Sequence, residues 1–345
     1  MTQALLAVES LTKRFADRAS VTGRVRGHAA ATLTALDDVS IAVAPGETLG
    51  IVGESGSGKS TLARCIMRLY EPDAGSITFD GQDVLGANGA QLRALRRAIQ
   101  MVYQDPYSSL NPRLRIGSAI AEPAIVHGLI ERGEGDRFAG DLLERVGLSR
   151  ETAPRYAHEF SGGQRQRIAI ARSLAVRPRL LIADEAVSAL DVSIQAQLLA
   201  LLEEIRRDLG LTMVFISHQL SVISRLADRV AIMYLGRVVE SGSTADVFAD
   251  PRHPYTQMLL EAHPRLDGTR VPRPRLTTDT PSPYEIPAGC RFHPRCPLAE
   301  ERCMSIDPPE VEIPSARGGH LSACHVLPMR EAITEAAVRE RTPSP

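Results

Sequence analysis

Three groups of residues in this chain have the types and spacing to do chemistry. The first is the run "GESGSGKST", where Gly53, Gly58, Lys59 and Ser60 fit G-x-x-x-x-G-K-[ST] directly after the apolar segment Leu49 to Val52. Glycines let a backbone curl until successive N–H groups face one concavity, and those groups hold phosphate oxygens together with the N-terminus of the following helix. Glu54, Ser55, Gly56, Ser57 and Thr61 complete the predicted loop, with Lys59 reaching the β and γ phosphates and Ser60 ligating Mg²⁺. Lys13 and Lys59 are the only lysines among 40 basic residues, so a lysine at this one position is a specific signal. The second group is Asp184 and Glu185, at the end of the strand-like run "RPRLLIADEAVSALD". Ligands sit at the carboxyl ends of parallel strands, so Asp184 is placed to hold the Mg²⁺ shell and Glu185 to polarise a water. The third group is four cysteines, Cys290, Cys296, Cys303 and Cys324, spaced C-x5-C-x6-C-x20-C.

That cysteine spacing is wider than the knuckles of most structural zinc sites, although His293, His320 and His325 could add nitrogen ligands. Four thiolates in a reducing compartment can also hold an iron–sulfur cluster, and unliganded or oxidised thiols are a third reading. Cys65, inside the helix after the phosphate loop, reads as a small core residue. Pro294, Pro297 and Pro308 stand in a region with little apolar sequence, so a bound metal would act first as a staple.

These residues need elements to position them. An apolar strand, a glycine turn and an apolar-periodic helix set the phosphate loop, and a second buried strand carries the acid pair. Between them "HEFSGGQRQRIAIARSLAV" opens a helix with Ser161 at the cap and Gln164 three residues on, before Ile168, Ile170 and Leu174. Gly162 and Gly163 in its first turn cost helix stability, which makes sense if a bulky anion approaches the backbone. The stretch from Ala16 to Thr34 reads as a surface loop, the sequence from Asp250 turns proline-rich like a linker, and the last ten residues look frayed.

On the phosphate loop, the acid pair and "SGGQ" together, the chain resembles the nucleotide-binding subunit of an ABC transporter. The resemblance implies an α/β fold of the P-loop NTPase type. Its RecA-like core carries an antiparallel β subdomain and an inserted helical subdomain from about Asp105 to Arg177, where Leu142, Leu143 and Val146 have helical spacing. It also implies a cassette over residues 1–262 and a small C-terminal extension, 263–345, bearing the cysteines. Ser161, Gly162, Gly163 and Gln164 match the signature that meets a partner's ATP, and Gln104 matches the Q-loop, which contacts Mg²⁺ and the attacking water. Asp191 in "SALD" matches the D-loop and His218 the switch histidine, while Phe15 stands where the family stacks an aromatic on adenine, an edge-strand core aromatic being the other reading. "AVSALD" and "SHQL" depart from the commoner "PTSALD" and "SHDL" without removing a chemically needed group.

By resemblance the catalytic set is Glu185 as general base, His218 on the γ-phosphate and Gln104, with Mg²⁺ held by Ser60, Gln104 and Asp184. "HPYTQMLL", the cysteine run, "QDPYSSLNPR" and "MYLGRVVESG" resemble ATP-binding subunits of oligopeptide and dipeptide importers, most closely the second, F-type ATPase. Tails of that group are associated with a [4Fe–4S] centre. The implied partners are a related ATP-binding subunit, two membrane permeases and an extracytoplasmic solute-binding protein, with this chain peripheral on the cytoplasmic face of the cell membrane. Peptides, nickel chelates and glutathione-like compounds all remain open as cargo. Composition agrees: at 345 residues, 43% hydrophobic and a net charge of −1, the chain has no basic footprint for nucleic acid. It shows no signal peptide and no uninterrupted apolar stretch long enough to span a membrane. A soluble ABC ATPase acting on DNA or ribosomes would call for tandem cassettes, a long coiled-coil insertion or a basic region. A regulatory ATPase with a redox-sensing cysteine unit is compatible with the importer reading.

Overall fold

The structure is a computed structural model that describes residues 4–16, 32–105, 110–188, 190–262, 281–315 and 317–327. Most of the expected 16–34 loop, much of the proline-rich linker, the 106–109 part of "QDPYSSLNPR", Ala189 and the final residues lie outside that description.

In chain order the elements are β1 (Leu6–Ala16), β2 (Thr32–Val43), β3 (Thr48–Val52), α1 (Lys59–Ile66), β4 (Ala74–Phe79), β5 (Gln82–Asp83), α2 (Gly89–Ala98) and β6 (Ile99–Val102). Three helices follow, α3 (Ile116–Val126), α4 (Gly135–Arg145) and α5 (Gly162–Leu174), and then β7 (Leu180–Asp184), α6 (Val192–Leu209), β8 (Thr212–Ser217), α7 (Leu220–Leu226), β9 (Arg229–Tyr234) and β10 (Arg237–Ser243). The last are α8 (Thr244–Ala249), α9 (Pro254–Glu261), β11 (Glu310–Ile313) and β12 (His320–Ala323).

Two sheets result. The smaller is antiparallel, in the order β2-β1-β4-β5; the larger runs β11-β12-β10-β9-β3-β8-β7-β6. Strands β9, β3, β8, β7 and β6 pair in parallel. Every residue of β3, β7 and β8 is buried, as expected of short apolar runs covered on both faces. One cluster of core residues fills the space between the two sheets around α1 and includes Leu6, Ile41, Ile51, Leu62, Ile77 and Ile182. A second joins the other face of the large sheet to α3, α4 and α5 through Ile120, Leu143, Ile168 and Phe215. The predicted RecA-like core, antiparallel β subdomain and inserted helices are all present.

Among the described residues, the cysteine-bearing segment forms no core of its own. Cys290, Phe292 and Cys303 belong to the second cluster. Phe292 is 1% exposed, with its ring edge-on to Tyr234 at 5.3 Å between centroids and tilted against Tyr255 at 5.5 Å. Strand β12 pairs with β10 at Glu240↔Ser322 and Ser241↔Leu321, and β11 closes the edge beyond it. Buried His320 anchors this junction, its Nε2 lying 2.8 Å from Glu240 Oε1. Across the expected boundary at residue 262 the hydrophobic core is therefore continuous.

Candidate active site

Parallel register assembles the site. Val52 pairs with Ser217, Asp184 with Ile216 and Val102 with Ala183, so the chain leaves β3, β8, β7 and β6 at one level of the sheet. Residues just past those ends, Gly53, His218, Glu185 and Gln104, then come together without being near in sequence.

Glycine is forced in the loop after β3 by close approach. A Cβ on Gly53 would lie 2.1 Å from the Met233 carbonyl oxygen. Gly58 caps α1 with φ of 104°, and a Cβ there would lie 2.4 Å from the Ala35 carbonyl oxygen. Lys59 Nζ donates to the carbonyls of Gly53 at 2.7 Å and Glu54 at 2.8 Å, and to Ser57 Oγ at 3.3 Å. Burial pushes its pKa down, while Glu185, Asp184 and Glu54 pull it back up.

Ser60 Oγ donates to Asp184 Oδ1 at 2.9 Å. Burial raises the Asp184 pKa against the lowering effect of that hydrogen bond, and neighbouring Glu185 adds to the rise. A buried carboxylate beside a second carboxylate and a hydroxyl is an all-oxygen set suited to a hard cation such as Mg²⁺. Glu185 has a left-handed backbone, φ 48°, which turns the chain sharply at the end of β7. Its carboxylate accepts from Gln104 Nε2 at 3.0 Å and lies 3.4 Å from His218 Nδ1. Gln104 Nε2 also reaches Ser188 Oγ at 3.4 Å, and the Ser188 hydroxyl donates to the Glu185 carbonyl at 2.9 Å.

Ser161 and Gln164 form the expected capping box: Gln164 N–H donates to Ser161 Oγ and Ser161 N–H to Gln164 Oε1. Of the two glycines between them, Gly163 has a packing reason that the sequence does not reveal. A Cβ on Gly163 would meet Ile194 Cγ2 at 2.5 Å, so this turn lies hard against α6; Gly162 has ordinary space, with Leu190 at 3.8 Å. Phe15, half-buried in β1, packs edge-on against Tyr70 at 5.3 Å, with Lys13 Nζ 5.3 Å from its ring centre. Asp191 is the N-cap of α6. Cys65 is fully buried, and its thiol pKa is raised by burial to about 11, as suits a core residue.

Cys290, Cys296, Cys303 and Cys324 all line one small cavity, with His253, His293 and His325 at its wall. His320 is not there; it is turned to Glu240 instead, which removes it as a candidate ligand. His293 Nδ1 lies 3.0 Å from the Cys290 carbonyl oxygen, and His325 Nε2 2.9 Å from that of Ile306. Among the described residues no three His, Cys, Asp or Glu side chains are placed to hold a metal ion. Burial pushes the thiol pKa of Cys290 to about 11 and that of Cys296 to about 12, so both stay protonated at neutral pH unless a cation stabilises the thiolate.

A family model described as ABC transporter matches residues 36–188, and one described as the oligopeptide/dipeptide transporter C-terminal region matches residues 239–303. A probable peptide ABC transporter ATP-binding protein of Sinorhizobium fredii is 50% identical over 330 residues, 94% of this chain and 91% of that protein. The chain belongs to the ABC transporter ATP-binding proteins. The oligopeptide transport ATP-binding protein AppF of Bacillus subtilis is also similar to it, 46% identical over 94% of this chain and 98% of its own. Among solved structures, a dimeric ATP-binding cassette in a post-hydrolysis state with ADP and Pi matches 69% of this chain and 98% of its own, at TM-score 0.60 and 27% identity. The cbiO1 protein of Clostridium perfringens, part of an ABC transporter complex, matches at TM-score 0.61 and 28% identity over 71% of this chain and 91% of its own.

In this ABC cassette, the residues that sequence reasoning missed lie far along the chain from the loop they touch. Tyr255 Oη accepts from the Glu54 N–H at 2.9 Å, and Gly236 N–H donates to the Ser57 carbonyl at 3.0 Å. Arg295 pairs with the Glu54 carboxylate, Nη1 to Oε2 at 2.8 Å. No helix among the described residues is long and apolar enough to cross a membrane.

Proposed function

We propose that this chain hydrolyses ATP to energise import of peptides or related small solutes across the cytoplasmic membrane. One observation carries the hydrolytic part: the Glu185 carboxylate sits between Gln104 and His218, beside the Ser60–Asp184 pair, at the mouth of the phosphate loop. The peptide part is supported by the oligopeptide/dipeptide-type C-terminal region and by the peptide-transport names of the relatives.

In this reading Lys59 exchanges its contacts with the loop carbonyls for phosphate oxygens, and loop N–H groups after Glu54, up to Thr61, hold the rest of the chain of phosphates. Ser60, Asp184 and Gln104 would hold Mg²⁺, which when bound neutralises charge on the phosphates. Glu185 takes the proton from the attacking water, His218 orients on the γ-phosphate, and Gln104 steadies the carboxylate. Phe15 stacks on adenine. Ser161, Gly162, Gly163 and Gln164, with Asp191, complete the site of an opposed, related ATP-binding subunit. Two permeases and an extracytoplasmic solute-binding protein make up the remainder, with this chain on the cytoplasmic face. We divide the chain at residue 262 into a cassette, whose helical part spans about 105–177, and the extension 263–345.

The test is reconstitution with the partner ATPase and permeases in vesicles. Peptide-loaded binding protein should raise ATP hydrolysis several-fold and drive ATP-dependent peptide uptake. Stimulation by a glutathione-loaded protein but not by peptide would move the cargo, and no stimulation by any would defeat the importer reading.

We further propose that the four cysteines hold an iron–sulfur cluster. The support is that four thiols line one cavity, the donor set of such a cluster. Protein purified anaerobically should contain iron and inorganic sulfide and be brown; stoichiometric zinc without iron would exclude the cluster.

A further inference from the structure

Arg295 lies between Cys290 and Cys296, in the 3-10 turn His293–Arg295, and its side chain is 2% exposed. Its guanidinium meets both carboxylate oxygens of Glu54, Nη1 to Oε2 at 2.8 Å and Nη2 to Oε1 at 3.0 Å, while Nη1 also reaches Tyr234 Oη at 3.3 Å. Glu54 is the second residue of the phosphate loop. It is held at two further points: its N–H by Tyr255 Oη at 2.9 Å and its carbonyl by Lys59 Nζ at 2.8 Å. A second arginine of the cysteine segment, Arg291, donates to the Leu235 carbonyl at the tip of the β9–β10 hairpin and pairs with Asp37. The neighbouring residue at that tip, Gly236, donates to the Ser57 carbonyl of the same loop. The cysteine segment thus grips the phosphate loop directly through Arg295 and indirectly through the hairpin.

The position of the pair matters because of charge. A carboxylate next to a loop built to receive phosphates repels them, and only a neighbouring cation removes that repulsion. Arg295 makes a planar two-point match with Glu54 that a lysine could not reproduce in shape. We propose that Arg295 is a positioning residue for nucleotide binding: it fixes and neutralises Glu54, so that the loop's affinity for ATP depends on the cysteine segment that carries the arginine. This rests on the ATP-binding reading of the loop and adds to it a second requirement, lying 241 residues along the chain.

The experiment uses the full chain with Mg²⁺ and a fluorescent ATP analogue, its Kd read by titration. Binding by the unaltered protein tests the ATP-binding reading of the loop, independently of any variant. Arg295→Gln should weaken binding about tenfold at low salt, and less at high salt. Adding Glu54→Gln to Arg295→Gln should restore the Kd to within about threefold of the starting value, because the unpaired charge is gone. A pair that merely staples the segment in place would give no rescue, and a double variant as weak as Arg295→Gln overturns the proposal. So does Arg295→Gln binding within twofold of the unaltered chain. If Arg295→Gln does not fold, Arg295→Lys carries the test. Retained charge should keep the Kd within about threefold, and a tenfold loss there overturns neutralisation as the cause.

Discussion

Glu185 holds a backbone conformation that L-residues other than Asn and Asp seldom adopt, φ 48°, and its N–H donates to the Ile216 carbonyl at 3.0 Å. Strand β8 therefore holds the turn that aims the carboxylate at Gln104 and His218. Glu185→Gln keeps the shape and removes the base, so in the reconstituted transporter turnover should fall about a hundredfold or more while ATP affinity stays nearly intact. Turnover near the starting rate would remove Glu185 from that role. At this scale the sequence announces which residues meet: Lys59, Ser60, Asp184 and Glu185 stand in local patterns, and the fold brings them side by side. Arg295 it does not announce. It stands among residues suggesting only a metal site, and its partner Glu54 lies in a loop where any side chain fits the pattern, so no local signal links the two.

Two elements show why the remainder was only half legible. The capping box of α5 could be read from Ser161 and Gln164, but the reason for Gly163 could not, because Ile194 reaches it from a different helix. Gly163→Ala must push that contact at 2.5 Å apart. Stability should fall by about 1–3 kcal/mol, read as a lower urea midpoint at unchanged m, with ATP binding to the phosphate loop retained. Helix α9 begins at Pro254 with His253 as N-cap, its Nδ1 accepting the Tyr255 N–H at 3.1 Å. The imidazole faces the Phe292 ring and the cysteine cavity, while Glu240 Oε2 accepts the His253 backbone N–H at 2.9 Å. Burial pushes the His253 pKa from the usual 6.5 down to about 3. Between those values the unfolded chain binds a proton that the folded chain does not. Its contribution to stability is therefore whole above pH 6.5 and declines as pH falls toward 3. Urea midpoints should drop between pH 7.5 and 5, and His253→Asn, which keeps a capping acceptor, should drop less over the same interval. Equal slopes would show that His253 does not set this dependence.

For the whole molecule, the cysteine segment and the sheet share one hydrophobic cluster through Cys290, Phe292 and Cys303. Nothing in a proline-rich run with four cysteines announces that Phe292 will pack against both Tyr234 and Tyr255, because the aromatic cluster forms only across the fold. Phe292→Ala should cost about 3–5 kcal/mol of global stability, not a local loosening of the tail, and calorimetry should show one transition at a lower Tm. Two transitions, with the cassette's unchanged, would mean the extension melts alone. The large sheet ends in β11, where Glu310 and Glu312 are exposed and Pro308, Pro309 and Pro314 flank the strand. Such an edge resists pairing with another chain. Strand β10 has no such protection of its own, and its neighbour β12 begins only at His320. During synthesis the backbone edge of β10 therefore stays open until β12 has left the ribosome. A nascent chain stalled short of β12 carries a complete phosphate loop beside an unpaired strand. It should need a chaperone for that interval, and its risk of aggregation should end when β12 docks.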